Sequence, residues 1–313
     1  MATVTHAGFR TLVGEFGGCD LYFSEMISAE ALTNGTPYER YYLFTDPDPE
    51  RLVFQLVGYG EDRIVEAARM LADTAAAGVD VNMGCSAPHI VRKGGGVAWM
   101  KDARRAAKML AAVRRVTDEK SLSVKLRLGE TEDPEALVAF ARAIESAGAD
   151  FVSLHPKRRG EGTGRAARWS YVGLLRERLT IPVVGNGGVT GREALAARAR
   201  LAGDGPAMIG RAAARAPWIF DYLRRTVRGG SDEYRVDLRR TAIRFFELLE
   251  VTQPRDFWPT RARRFIPYLL RNVTFGYSIA ARLAQTRDYA TIRAELFDYL
   301  DAHPEAADHV ESG

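Results

Sequence analysis

"DVNMGCSAPHIVRKGGG" (Asp80–Gly96) is the stretch that decides the fold. It opens inside an apolar run, Val79, Val81 and Met83, which stops at Gly84 and presents a thiol, Cys85. A short, nearly continuous apolar segment reads as a strand buried on both faces, the pattern of a parallel sheet. Similar runs lie on either side of it: Asp20–Met26, Leu52–Val57, Leu122–Leu126, Phe151–Leu154, Ile181–Gly185 and Ala207–Gly210. Helical patterns separate them, among them Glu61–Ala77 (apolar at 64, 65, 68, 71 and 75), Ala98–Val116, Asp133–Ala147 and Thr190–Ala199. Asp133-Pro134 supplies an N-cap followed by a first-turn proline, and Thr190–Glu193 fits a capping box. Gly78 and Gly148 read as helix stops ahead of strands.

Repeated βα units suggest a doubly wound sheet or a (β/α)8 barrel, and the expected fold is a TIM-type barrel over residues 1–228. Seven strands are legible where a barrel has eight. The first element, Thr5–Gly14, reads as a loop running into a helix, the segment that succeeds a strand in each βα unit. The first strand is therefore expected to be missing or to lie upstream of Met1, and an upstream start is favoured because an absent strand leaves unpaired edges. "GGSDEY" (Gly229–Tyr234) reads as a linker. Beyond it the strands vanish, and Leu238–Val251, Pro259–Asn272, Phe275–Ala284 and Tyr289–Ala302 suggest a small helical domain over 235–303, with a frayed tail over 304–313.

The 313 residues are 46% hydrophobic, enough for one large core or for a large and a small domain. No apolar run approaches a membrane span and no signal-type segment opens the chain, so a cytoplasmic protein, monomeric by default, is expected. Cys19 and Cys85 make no metal-type spacing, and no metal is expected. The net charge is +4, and of 44 cations only six are lysine. Arginine suits phosphate, which its planar fork grips with two hydrogen bonds, although a GC-rich genome also raises arginine everywhere.

In a barrel of this type the active site lies at the C-terminal ends of the strands. Those ends deliver Ser24-Glu25-Met26, Gln55, Asn82 with Cys85, Lys125 with Arg127, His155 with Lys157, Asn186-Gly187-Gly188, and Gly210-Arg211. Gly187-Gly188 before a capped helix, joined by the "MIGRAA" turn, suits a phosphate. Lys125 and Arg127 are costly in an apolar strand unless paired or functional. With His155 they suit an electron-rich planar ring carrying a phosphate tail, as in flavin mononucleotide. "PKRRGEGTGRAARW" (Pro156–Trp169) sets Lys157, Arg158, Arg159, Arg165 and Arg168 against Glu161 alone, with three glycines. It reads as a flexible basic loop for a large polyanion, or as a solvated charge run.

These pieces resemble the FMN-dependent tRNA-dihydrouridine synthases. The resemblance rests on "VTHAGFRTLV" (Val4–Val13), "SEM" (Ser24–Met26), "FQLVG" (Phe54–Gly58), "VNMGCSAPHIVRKGGG" (Val81–Gly96), "VKLRLG" (Val124–Gly129), "LHPKRR" (Leu154–Arg159), "VVGNGGV" (Val183–Val189) and "MIGRAAARAPWIF" (Met208–Phe220). It implies reduction of the uridine C5=C6 bond in tRNA, or in another structured RNA, with NADPH or NADH as reductant of FMN. By the same resemblance Cys85 protonates C5. Asn82, Lys93, Arg127, Lys157, Arg158 and Arg159 hold the RNA. Met1, Ala2, Gln55, Lys125, His155, Asn186, Gly187, Gly188, Gly210 and Arg211 hold FMN. The glycine-rich segment through Gly96 is expected to close over a flipped nucleotide, because chemistry on a stacked base requires its extrusion. The helical tail corresponds to the family's RNA-binding domain. Three departures stand out: Asn186-Gly187-Gly188 replaces Asn-Gly-Asp, the loop carries Lys157 where the family has arginine, and the family's first strand would end at Met1.

Two other readings stay open on the residues alone. One is an FMN-barrel dehydrogenase acting on a free pyrimidine-like molecule. The other is a flavin-less RNA-binding barrel, which would bind RNA with a steep salt dependence.

Overall fold

The computed structural model describes residues 1–162, 164–231 and 233–311. The chain divides into two compact units, one of residues 26–190 and 194–209, the other of 1–25, 191–193 and 210–313. The boundary expected at 228 is not where the chain divides, because the first 25 residues and the stretch from Gly210 cluster with the C-terminal helices.

Seven strands form one sheet in sequential order: β1 (Tyr22–Ser28), β2 (Leu52–Val57), β3 (Gly78–Asn82), β4 (Ser121–Leu126), β5 (Phe151–Leu154), β6 (Val183–Asn186) and β7 (Ala207–Met208). From β2 to β7 every pairing is parallel. Sequential parallel order with helical crossovers is the βα-barrel arrangement, and the fold class is the α/β one expected. β2 and β3 are buried along their whole length. Helices Glu61–Ala72 and Ala103–Val116 bury Ile64, Ala67, Ala68 and Leu71, and Ala106, Met109, Leu110 and Val113. The second is shorter at its start than its periodicity suggests. Residues Gly96–Lys101 form a 3-10 turn, and Asp102 then caps the helix by accepting from the Arg105 N–H at 2.9 Å. Gly78 stops no helix. It lies in β3, where a Cβ would stand 2.5 Å from the Ser121 carbonyl oxygen.

Register explains how a strand set that reads as apolar carries polar chemistry. Gln55, Asp80 and Ser123 pair across β2, β3 and β4, and Asn82, Lys125 and Ser153 pair one row nearer the C-terminal ends. Parallel partners in register share a face. One face of the sheet thus carries two polar rows, while Val79, Val81, Leu122, Val124, Val152 and Leu154 occupy the alternate positions.

In the other unit, helix Ala7–Glu15 packs closely on helix Leu238–Thr252. A Cβ on Gly8 would lie 2.8 Å from the Leu248 carbonyl oxygen. Phe245 stacks on Phe265 of helix Trp258–Leu269 with ring centroids 4.0 Å apart. Helices Tyr277–Gln285 and Tyr289–Ala302 complete the bundle. Two expectations fail here. Tyr234, placed in a linker, begins β8 (Tyr234–Asp237), and the tail expected to fray forms β9 (Asp308–Glu311), antiparallel to it. Glu311 anchors β9 by accepting from Arg215 and from Trp218 Nε1. The last two residues of the expected tail, Ser312 and Gly313, lie outside the described residues.

Glu25 and Arg261 form a buried ion pair at 2.7 Å, and Glu25 also accepts from the Thr3 N–H at 2.5 Å. Removing one partner strands a buried charge. Arg261→Leu is expected to cost about 3–5 kcal/mol in urea denaturation, and adding Glu25→Gln should recover most of that loss. Equal stability of the single and double variants would contradict this.

Candidate active site

Cys85 sits three residues past Asn82, the last residue of β3, and is half-buried. Its backbone is held at both ends. The Asn82 side-chain Oδ1 accepts from the Gly84 N–H at 3.0 Å and from the Cys85 N–H at 2.8 Å, and the Cys85 carbonyl accepts from the Val97 N–H at 2.9 Å. The Asn82 amide is oriented in turn. Its Nδ2 donates to Gln55 Oε1 at 2.8 Å, Gln55 Nε2 donates to Asp80 Oδ2 at 2.7 Å, and Ser123 Oγ donates to Asp80 Oδ1 at 2.7 Å. Asp80 is fully buried, and burial pushes its carboxyl above the ordinary range against these hydrogen bonds and the Lys125 ammonium.

Lys125 Nζ donates to Asn186 Oδ1 at 2.9 Å, and Asn186 Nδ2 donates to the Met208 carbonyl at 2.8 Å. Burial lowers the Lys125 pKa to about 8. Asp80 opposes that fall, and Arg127 adds to it. Arg127 lies against Gly84, whose Cβ would stand 3.3 Å from Arg127 Cγ. Its Nη1 is buried with no acceptor, and burial lowers its pKa while Cys85 and Glu161 act the other way. His155 lies beside Gly187, where a Cβ would be 2.8 Å from its ring, and the Gly187 carbonyl accepts from Trp169 Nε1 at 2.8 Å. Gly187 and Gly188 both have positive φ, +118° and +73°. Five expected cofactor residues (Gln55, Lys125, His155, Asn186 and Gly187) thus form two contacting clusters with Asn82 and Arg127 on one strand rim. Met1, Ala2, Gly210 and Arg211 belong to the other unit. There the Met1 Sδ lies 3.4 Å from where a Cβ of residue 210 would stand, and Arg211 opens helix Arg211–Arg215.

The glycine segment expected to close over the nucleotide is packed tightly at two of its three glycines. A Cβ on Gly95 would lie 2.7 Å from the Gly58 carbonyl oxygen, and one on Gly96 would collide with the Cys85 carbonyl. Trp99 Nε1 also donates to the Gly58 carbonyl, at 3.0 Å. Gly95 and Gly96 exist for close backbone approach, and they brace the cysteine. Only Gly94 has open space, and the exposed Lys93 beside it lies 5.3 Å from the Tyr59 ring centre.

The basic loop is likewise tied rather than loose. Arg158, Arg165 and Arg168 converge on Glu161 at 3.1, 3.3 and 2.6 Å, and Arg168 also meets Glu132 at 3.0 Å. Arg168 and Arg158 hold the Glu161 carboxyl well below the usual carboxylate range. Lys157 is buried and donates to the Gly162 carbonyl at 2.8 Å, while Arg159 pairs with Glu130 at 2.6 Å. Thr163 in this loop lies outside the described residues. Sequence reasoning gave no role to Asp80, Ser123, Arg198 or Trp99. A lone aspartate in a buried strand was the available signal for Asp80. Among the described residues no cluster of acidic, histidine or cysteine side chains could hold a metal, and no helix is long and apolar enough to cross a membrane.

This geometry makes two outcomes testable. Asp80→Ala leaves Gln55 and Ser123 without their acceptor and should cost about 2–4 kcal/mol by denaturant titration. Asp80→Asn should cost less, because its oxygen still accepts from Gln55 and its amide can donate to the Ser123 oxygen; equal losses would contradict the relay. For Lys125, the native state releases its proton near pH 8 and the unfolded chain near ~10.4. In that window the unfolded chain binds more protons, so stability rises with pH as the burial cost is relieved. Lys125→Met should flatten that rise between about pH 8 and 10. Parallel pH profiles for variant and wild type would refute it.

The sequence profile of the family described as "Dihydrouridine synthase (Dus)" matches residues 1–251. A probable tRNA-dihydrouridine synthase of Rhodobacter capsulatus is 32% identical over 74% of this chain and 71% of its own length. A protein of the same description from Rhizobium leguminosarum is 28% identical over 96% of this chain and 94% of its own. Probable tRNA-dihydrouridine synthase 1 of Synechocystis is 31% identical over 62% of this chain, a stretch that spans about half (54%) of that protein's length. Among solved structures, 2-naphthoyl-CoA reductase in complex with 2-naphthoyl-CoA superposes with a TM-score of 0.53 at 15% identity, over 73% of this chain and 47% of that one. Histamine dehydrogenase from Rhizobium superposes at 0.52 with 14% identity, over 71% and 43%. At such identities the structural likeness is one of fold alone, whereas the profile match covers most of the sequence. The chain belongs to the dihydrouridine synthase family.

Proposed function

We propose that this protein reduces the C5=C6 bond of uridine in tRNA to dihydrouridine, with FMN as cofactor, NADPH or NADH as reductant and the Cys85 thiol as proton donor. The observation that carries this reading is the placement of Cys85. Within a chain of the dihydrouridine synthase family, a thiol stands at the end of β3 with its backbone clamped by Asn82 and Val97 and the Arg127 side chain lying along Gly84. The fit to FMN rests on donors that lack acceptors in the protein. Arg127 Nη1 and Arg198 Nε are buried and unsatisfied among the described residues, on a rim where Lys125 and the positive-φ glycines Gly187 and Gly188 also stand. Such a set suits a ligand rich in carbonyl oxygens and carrying a phosphate.

Reduced FMN, when bound, supplies hydride. Saturating the C5=C6 bond also needs a proton, and this chain provides it at the Cys85 sulfur. Asn82 and the Asp80–Gln55 relay hold that sulfur's backbone still, so the donor is preorganised. The Asn82 amide would orient the pyrimidine. Lys125, Gln55, His155 and Asn186–Gly188 would hold the flavin and its side chain. The RNA backbone would meet Lys93, Arg158 and Arg159. Arg158 and Arg159 are paired now and would exchange a carboxylate partner for phosphate. Lys157 supports the loop through the Gly162 carbonyl. The enzyme would act in the cytoplasm as a monomer.

Incubating the flavin-loaded protein with unmodified tRNA and NADPH should yield dihydrouridine in the RNA. Reduction of free uracil or uridine but not of RNA would overturn the assignment. Cys85→Ala should keep flavin and RNA binding and lose turnover by about 10²-fold or more, the scale of general acid catalysis. Wild-type turnover in that variant would remove the thiol from the mechanism.

A further inference from the structure

Arg198 lies in the helix Arg192–Ala202, ten residues along the chain from Gly188, the turn glycine that its guanidinium reaches. Its Nη2 stands 2.8 Å, and its Cζ 3.6 Å, from where a Cβ of residue 188 would be. Any side chain at 188 would therefore have to displace the guanidinium. Glycine, at φ +73°, leaves the position open. Arg198 Nε is buried with no acceptor, and among the described residues no hydrogen bond or ion pair reaches this side chain.

Three other half-buried arginines of the same unit are well supplied with acceptors, whereas Arg127 shares the unsatisfied state of Arg198. Arg114 donates to Asp150 and to the carbonyls of Gly148, Thr117 and Asp118. Arg176 donates to the carbonyls of Val183, Ala202, Gly203 and Pro206. Arg168 is held by Glu161 and Glu132. An arginine left unsatisfied at a glycine turn is costly unless an anion completes it. Only two residues before Gly188, Asn186 takes the Lys125 ammonium, so the neighbourhood already favours negative charge.

We propose that Arg198 is a phosphate-binding residue, its guanidinium gripping the phosphate monoester of FMN at the Gly187-Gly188 turn. This rests on the flavin reading given above. Gly188 is then open because the guanidinium and the ligand share its surface, and the turn binds through an arginine rather than through a side chain of its own.

The test titrates apoprotein with FMN and, separately, with riboflavin, which lacks the phosphate, following flavin fluorescence without RNA. Arg198→Gln should lose FMN affinity by about tenfold or more while riboflavin affinity stays within about twofold. Arg198→Lys, which keeps the charge but not the fork, should fall between. Because the native guanidinium is unsatisfied, the melting temperature of the Arg198→Gln apoprotein should not drop. Unchanged FMN affinity would overturn the proposal, as would equal losses for both flavins accompanied by a lower melting temperature. So would a change in RNA affinity alone, which would assign the guanidinium to a backbone phosphate instead. Wild-type protein that binds neither flavin would sink the flavin reading and this assignment with it. Wild-type protein that binds FMN, with variants that bind it equally well, would sink only this assignment.

Discussion

A buried aspartate that accepts a hydrogen bond on each oxygen organises the site. This is Asp80, and it sets the direction of everything downstream. Gln55 must turn its NH2 to Asp80, so its carbonyl oxygen faces Asn82; Asn82 must then turn its own NH2 to Gln55, so its oxygen faces the N–H groups of Gly84 and Cys85. Amides can flip, and a carboxylate at the head of the chain removes that freedom. The backbone of the reactive thiol is placed by a residue five positions earlier, acting through a neighbouring strand. The cost of burying Asp80 is offset by Ser123, Gln55 and the Lys125 ammonium in the next polar row.

The same economy of motion holds around the rim. Gly95 and Gly96 press on Gly58 and Cys85, and Trp99 ties the segment to Gly58. Three arginines gather on one glutamate in the loop after β5. A preorganised donor needs no rearrangement at the moment of proton transfer, which is where rigid positioning yields rate. The loop arginines, already arranged around one anion, have the geometry a phosphate would ask of them.

Strand positions, the βα rhythm and the helices of the C-terminal part were legible because their periods are local. So were the rim residues, since parallel strands in sequential order bring their C-terminal ends to one edge. Roles were less legible. Cations and glycines in Pro156–Trp169 read as a mobile basic arm because composition does not reveal that Glu161 neutralises several of them at once. Tyr234 and the tail read as linker and fray because β8 and β9 are short and separated by 70 residues, so neither run carries a strand signal alone. Arg198 sat on a helix like any surface arginine until the turn at Gly188 came within reach of its side chain.

By itself, then, the sequence determined the parallel sheet, the identity of the thiol and the set of polar groups at the strand ends, because burial and period act over a few residues at a time. Only the tertiary structure decided how those groups are used. Register across β2 and β3 put Asp80, Gln55 and Asn82 into one directed chain, and packing so close that an added Cβ would collide with a neighbouring carbonyl turned a glycine run into a brace. The physical reason is that a hydrogen bond's direction and a glycine's purpose belong to the partner, and the partners here lie tens of residues away along the chain.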